Sequence, residues 1–256
     1  MEAGTDIARV GQSVPGLVFP AVTLETKCWE ADWRSVLDAA RLRRIADGLS
    51  FAFTERVVFI NNVADPDAVC RLAERRVAEG LLTGFERVAD HADAALEMAG
   101  LTREELGRGY VYSAAELVGI HRCRTPFLLH LASDVMPAPA SDEAGHWIMD
   151  ALALFARDAR IKVANPVWNG RFGEAHMEAL EETEAFFLGH GFSDQCYLVR
   201  TEDWQGAIYG ETHPEPGRYP DYGGELFEKR ADAWLRRHGY LRATHRRTAY
   251  AHPDLL

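Results

Sequence analysis

The run Phe127-Leu128-Leu129-His130-Leu131-Ala132-Ser133-Asp134 is a stretch of large apolar residues that ends abruptly in an acid. It reads as a buried strand delivering a carboxylate to the edge of a sheet. Open α/β sheets bind ligands outside the carboxyl ends of their strands. A carboxylate there can hold a divalent cation, and the cation a diphosphate, so such a site would handle a nucleotide-linked substrate. The plainer reading is a strand followed by a helix-capping aspartate. A second chemical feature is charge. The chain totals −11, yet between Glu228 and His252 seven Lys/Arg stand against two acids, so that segment is +5 and the remainder −16. A basic segment on an acidic chain can attract an anionic ligand, or it can be a solvated helix face with local ion pairs. The acidic total argues against broad nucleic-acid binding. Cys28, Cys70, Cys123 and Cys196 are widely spaced and form no C-x-x-C pair, which predicts free thiols in a reducing cytoplasm and no zinc site.

The elements that must position these groups are legible in outline. At 256 residues, 47% hydrophobic and 26% charged, the chain suits one large α/β domain with a sizeable core. No apolar run approaches the length of a membrane span. Residues 1–16 contain acids and no apolar signal core, and read as a flexible tail. Residues 17–24 form an expected first strand, and helical spacing predicts a helix over 29–45. Residues 56–62 form a second strand, and Asp65-Pro66 starts the next helix. Residues 85–89 suggest a strand, 93–98 and 113–123 helices, and 127–131 the strand above. A strongly apolar helix over 147–156 precedes a strand over 160–165 that Pro166 should stop. Residues 196–200 read as a strand, 209–224 as a long Pro-, Gly- and Tyr-rich loop, and 226–237 as a helix. Alternating strands and helices imply a mainly parallel sheet covered on both faces.

Taken in order, these parts resemble a glycosyltransferase of the GT-A fold, specifically the large family 2 type, over about residues 18–252. The resemblance implies an α/β fold with a Rossmann-like, mainly parallel central sheet flanked by helices. It also implies one domain over 17–256, divided into a nucleotide-sugar-binding half (17–135) and an acceptor-binding half (136–256). Three pieces carry it. In the first, Val22-Thr23-Leu24-Glu25-Thr26-Lys27-Cys28-Trp29 sits where the family's first strand and turn touch the nucleoside. Ile60-Asn61-Asn62-Val63-Ala64-Asp65 sits where the second strand ends near the base and ribose. Thr23, Glu25, Asn62 and Asp65 are thereby candidate donor contacts, with turn formation and helix capping as the alternative for Asn61, Asn62 and Asp65. In the second, the small-residue helix containing Ser113 precedes the strand that the family ends in Asp-x-Asp. Here those positions read Ala132-Ser133-Asp134, so the first acid is missing. Ser113, Ser133 and Asp134 become donor contacts, and one carboxylate with diphosphate oxygens and water can still hold Mg²⁺ or Mn²⁺. A metal-independent site neutralised by C-terminal arginines, Arg230 among them, is the other option. In the third, Tyr222-Gly223-Gly224-Glu225-Leu226-Phe227-Glu228 resembles the turn and helix start that carry the catalytic base of inverting members. Glu228 matches best, and Glu225 and Asp194 are rivals. Lys229 stands where a second acid is usual. Acids in a first helical turn also oppose the helix dipole. The late His252 matches a histidine that completes the metal shell in some members. Trp168, Tyr219 and Tyr222 are candidates for an aromatic acceptor wall.

The resemblance implies transfer of a hexosyl or N-acetylhexosaminyl group from a nucleotide sugar, a UDP-sugar first, to a small or carrier-linked acceptor, with inversion. It would use a divalent cation, in a cytoplasmic protein of specialised metabolism, with a homodimer left open. A nucleotidyltransferase shares the sheet and the metal carboxylate but needs a Gly-rich basic phosphate loop, which residues 24–33 lack. A non-catalytic nucleotide-sugar-binding protein is the third reading, favoured by Ala132 and Lys229.

Overall fold

The computed structural model describes residues 20–138, 146–215 and 226–252. The tail and the sequence candidates Tyr219, Tyr222 and Glu225 lie outside the described residues. The order of elements is β1 (Val22–Cys28), α1 (Trp33–Val36), α2 (Ala39–Leu49), β2 (Glu55–Ile60), α3 (Pro66–Ala78), β3 (Gly84–Arg87), α4 (Ala92–Ala99), α5 (Arg103–Leu106), α6 (Tyr110–Arg122), β4 (Phe127–Leu131) and β5 (Met136–Pro137). There follow α7 (His146–Arg157), β6 (Ile161–Trp168), α8 (Phe172–Met177), β7 (Glu181–Glu182), β8 (Phe186–Gly189), β9 (Cys196–Arg200), α9 (Thr201–Trp204), α10 (Phe227–Arg237) and β10 (Leu241–Ala251).

One sheet runs β3-β2-β1-β4-β9-β6-β10-β8-β7, with β5 laid on the end of β10. β1 to β4, β6, β7 and β10 point one way and β5, β8 and β9 the other, so the sheet is mostly parallel. β4 is buried along its whole length, His130 included, as a strand covered on both faces must be. On one face Leu128, Phe59, Tyr197 and Val199 pack under α4, α6 and α10. On the other, Val22, Leu24, Leu129 and Leu131 pack against Ile45 and Leu49 of α2 and against Trp147, Ile148 and Phe155 of α7. No helix among the described residues is long and apolar enough to cross a membrane.

Three local expectations change. The helix expected over 29–45 is two helices, because Asp38 turns extended and its side chain caps α2 by accepting from Arg41 N at 2.9 Å. The strand expected to stop at Pro166 runs on to Trp168. Proline has no N–H to give, and β10 accommodates it by bulging: the register jumps from Thr244↔Asn165 to Ala249↔Val167. The basic C-terminal segment is α10 followed by an inner strand, with its charges locally engaged. Arg236 pairs with Asp232 at 2.9 Å, Arg242 with Glu178 at 2.9 Å and Arg246 with Glu182 at 3.3 Å. The local ion-pair reading of this segment is therefore the one the structure favours. All four cysteines are free thiols.

Candidate functional site

The carboxyl ends of β1, β2, β3 and β4 share one edge because these strands are mutually parallel. β10 points the same way, so its last residues arrive at that edge too. β5, two residues beyond Asp134, pairs antiparallel with the end of β10 through Tyr250↔Pro137 and Ala251↔Met136. This short ladder brings two loops together, and His252 Nε2 lies 3.1 Å from Asp134 Oδ2. The histidine is nearly buried and the aspartate about half exposed. Sequence reasoning named both residues, and the structure brings them into contact across the edge.

Both are held from behind. Asn169, in the left-handed region at φ 47°, donates to His252 O at 3.2 Å and accepts His252 N at 2.7 Å. Arg41 Nη2 donates to Ser133 O at 2.5 Å and Val135 O at 3.0 Å, which fixes the loop carrying Asp134. Asp32, from the loop after β1, accepts Trp29 N at 2.8 Å and is hydrogen-bonded by Ser133. Burial raises the Asp32 carboxyl above its ordinary range; Asp134 adds to the rise, and the Ser133, Trp29 and Arg41 contacts oppose it. Asp32, Arg41 and Asn169 escaped sequence reasoning, since their place depends on loops meeting across strands.

The other candidates divide by position. Asp194 sits just before β9, which runs antiparallel to β4, and so reaches the same edge. Its neighbour Gln195 accepts Ala132 N at 2.8 Å and the Tyr250 hydroxyl at 3.0 Å. Glu228 lies in the first turn of α10, half-buried, where Phe227 N donates to Ser113 Oγ at 2.9 Å. That bond docks the start of α10 on the start of α6 and directs the buried Ser113 hydroxyl at α10. Asn62 stands at φ 48° and reaches Val111 O at 3.5 Å, as Asn61 does at 3.3 Å. Asp65 caps α3 through Ala68 N at 3.0 Å. Trp168 closes β6 in register with Tyr250, under the Arg171 guanidinium at 4.5 Å. Trp29 and Tyr112, both more than half exposed, stand on the loop after β1 and the first turn of α6.

Three candidates sit away from the edge. Thr23 is near the amino end of β1, about 17 Å from its carboxyl end at roughly 3.3 Å per residue, and bonds Glu55 and Thr125. Glu25 is buried, receiving His130 Nδ1 at 2.6 Å. Arg230 is buried too and donates to Tyr209 O at 2.8 Å and Glu105 O at 2.9 Å, a clamp on backbone carbonyls. Between Glu25 and the edge lies a charged network. Lys27 pairs with Glu116, which accepts the Tyr197 hydroxyl at 2.8 Å. Burial brings the Lys27 ammonium down to about 8, against the pull of Glu25 and Asp194. Burial, with Lys27 beside it, also lowers the His130 imidazole, whose Nδ1 lies 2.6 Å from Glu25 Oε2.

No protein-family model matches the chain, and no curated protein matches it in sequence. Solved structures do match in shape. GalNAc-T7, solved with UDP, GalNAc and Mn²⁺, superposes with a TM-score of 0.54 at 12% identity, over 91% of this chain and 44% of that one. TarS 1–349 from S. aureus scores 0.47 at 15% identity, over 91% and 60%. Glucosyl-3-phosphoglycerate synthase from Mycobacterium tuberculosis, with Mn²⁺, UDP and glucosyl-3-phosphoglycerate, scores 0.38 at 11%, over 72% and 57%. The chain thus spans less than half the length of GalNAc-T7. With its layered mixed sheet and helices on both faces, it has the GT-A fold of glycosyltransferases.

Proposed function

We propose that this chain is a glycosyltransferase that moves a sugar from a UDP-sugar to a small or carrier-linked acceptor, with inversion at the anomeric carbon. One observation carries the reading on this fold: Asp134 and His252, far apart in sequence, meet at 3.1 Å at the carboxyl edge. A carboxylate oxygen suits Mn²⁺ or Mg²⁺, and the imidazole nitrogen beside it favours the transition metal of the two, Mn²⁺. Among the described residues no third His, Cys, Asp or Glu joins them in a metal-binding cluster. The pair therefore fits a cation whose remaining positions come from the donor's diphosphate and water. Bound there, the cation would offset charge on the leaving diphosphate. GalNAc-T7, with its UDP and Mn²⁺, supports this choice of donor and metal.

The chain's own groups supply the rest. Trp29 and Tyr112 offer aromatic faces for the base, and Asn61 and Asn62 short polar groups at the end of β2. Glu228 takes the acceptor's proton as its oxygen or nitrogen attacks, with Asp194 as the rival base at the same edge. Ala132 and Lys229, where acids are usual, support a second reading, a non-catalytic nucleotide-sugar binder. A thermal-shift screen of nucleotide sugars with and without Mn²⁺, followed by a transfer assay on the stabilising donor, tests both. A UDP-sugar should raise the melting point by several degrees with Mn²⁺, and sugar should be released or transferred. Stabilisation without turnover favours the binder, and a chain that no nucleoside diphosphate stabilises is neither.

A further inference from the structure

Asp32 stands in the turn between β1 and α1, and the transfer chemistry above gives it no task. It occupies the N-cap of α1, yet its side chain caps nothing there. An N-cap aspartate ordinarily accepts from a backbone N–H in the first turn of its helix, as Asp38 does from Arg41 N at 2.9 Å and Asp65 from Ala68 N at 3.0 Å. The Asp32 carboxylate turns back instead. Its Oδ1 accepts Trp29 N at 2.8 Å, and the Ser133 side chain hydrogen-bonds it from the loop after β4. Asp32 is partly exposed, and its bond to Trp29 lies at the protein surface, within reach of a ligand.

These bonds set Asp32 between two groups that a donor would use. On one side is Trp29, more than half exposed, whose ring is offered to the base. On the other is Ser133, next in sequence to Asp134, which with His252 would hold the cation on the diphosphate. A nucleoside diphosphate has the same order: base, ribose, diphosphate. A donor laid along Trp29 and Asp134 therefore places its ribose at Asp32. The hydrogen-bond chemistry matches. An ionised carboxylate only accepts, at about four lone-pair sites. Trp29 N and Ser133 occupy two of them, and the rest suit the 2′- and 3′-hydroxyls of a ribose, which can both donate. In doubly wound nucleotide-binding folds an Asp or Glu holds the ribose 2′-hydroxyl in this way. A direct bond to the cation is the competing use, and among the described residues Asp32 forms no metal-binding cluster with Asp134 and His252.

We propose that Asp32 binds the ribose diol of the donor and so selects a ribonucleoside diphosphate sugar over a 2′-deoxyribonucleoside one. The inference rests on the donor site proposed above and adds which donors that site accepts. Isothermal titration of UDP, 2′-deoxy-UDP and 3′-deoxy-UDP into the full chain with Mn²⁺ tests it. The wild type should bind UDP about tenfold more tightly than either deoxy analogue, as expected for a lost bond to a charged group. In Asp32→Ala the three ligands should bind alike. Asp32 also tethers Trp29, so the variant can weaken every ligand through the loop; the ratio between ligands is the readout that such a loss leaves unmoved. A variant that weakens all three by one factor and keeps the wild-type ratio overturns the proposal. Equal wild-type affinity for the three ligands overturns it as well, while Mn²⁺-dependent UDP binding still upholds the donor site. Failure of UDP to bind at all overturns the donor site and the role of Asp32 together.

Discussion

A catalytic base is defined by reach: its carboxylate must come within hydrogen-bond distance of the proton that it removes. Glu228 and Asp194 both stand at the carboxyl edge, on different supports. Glu228 rides the first turn of α10, braced on α6 by the Phe227–Ser113 bond. Asp194 belongs to a turn stitched to the Asp134 loop through Gln195. If Glu228 is the base, Glu228→Gln should lower kcat by about 10²-fold or more with UDP affinity unchanged, and Asp194→Asn should cost less. Steady-state transfer rates decide, and the reverse ranking moves the role to Asp194. At this scale the sequence was a partial guide. Asp134 is legible because an apolar run ends on it. Glu25 carried the same kind of signal and lies inside the molecule, because strand alternation turns it towards α6 rather than out at the strand's end. Asp32 had no signal, since Trp29-Glu30-Ala31-Asp32-Trp33 reads locally as helix.

Elements explain why the Asp134–His252 pair exists. β10 had to run parallel to β6, and β5 had to clip onto its end, before His252 could meet Asp134. Residues 241–251 alternate too little to declare a strand, and their bulge opposite Pro166 is a property of two strands together. The long apolar elements were plain from sequence: β4, α6 and α7 appear close to their expected bounds. The short edge elements β7, β8 and α8 were not, because pairing rather than pattern defines them. α2 reaches forward to support the site through Arg41, whose two bonds to the carbonyls of Ser133 and Val135 span 92 and 94 positions. Arg41→Met removes a charged donor from both. A cost of about 1–2 kcal/mol is expected, at the low end for bonds to charged groups because the site is only partly buried. Denaturant melts read that loss, and weaker UDP binding should accompany it. A variant as stable as the wild type would mean that the loop holds without the clamp.

Across the whole molecule, the layered α/β architecture follows from strands with apolar residues on both faces, and that much was legible from the chain. The charged network under the edge was not, because it joins β1, β4, α6 and β9 only after folding. It leaves a mark on stability. The folded Lys27 loses its proton near pH 8, whereas an unfolded lysine keeps it to about 10.4. Between these values the unfolded chain holds more protons, so the Lys27 contribution to stability rises with pH. Cys28 acts in the opposite sense: burial raises its thiol to about 12, and an unfolded thiol ionises from about 8.5, so its contribution falls as pH rises above that value. Lys27→Met isolates the first effect. The melting-point difference, wild type minus variant, should grow between pH 8 and 9.5, and a constant difference would refute the assignment.

On the proposed reading, Asp134 and His252 act together to hold a cation that holds the donor. Isothermal titration of UDP into the wild type, Asp134→Ala and His252→Ala, with and without Mn²⁺, measures this most directly. Mn²⁺-dependent UDP binding is expected in the wild type, at least tenfold weaker in either variant and little weaker again when both changes are combined. UDP binding that is indifferent to Mn²⁺, or to both substitutions, would contradict it.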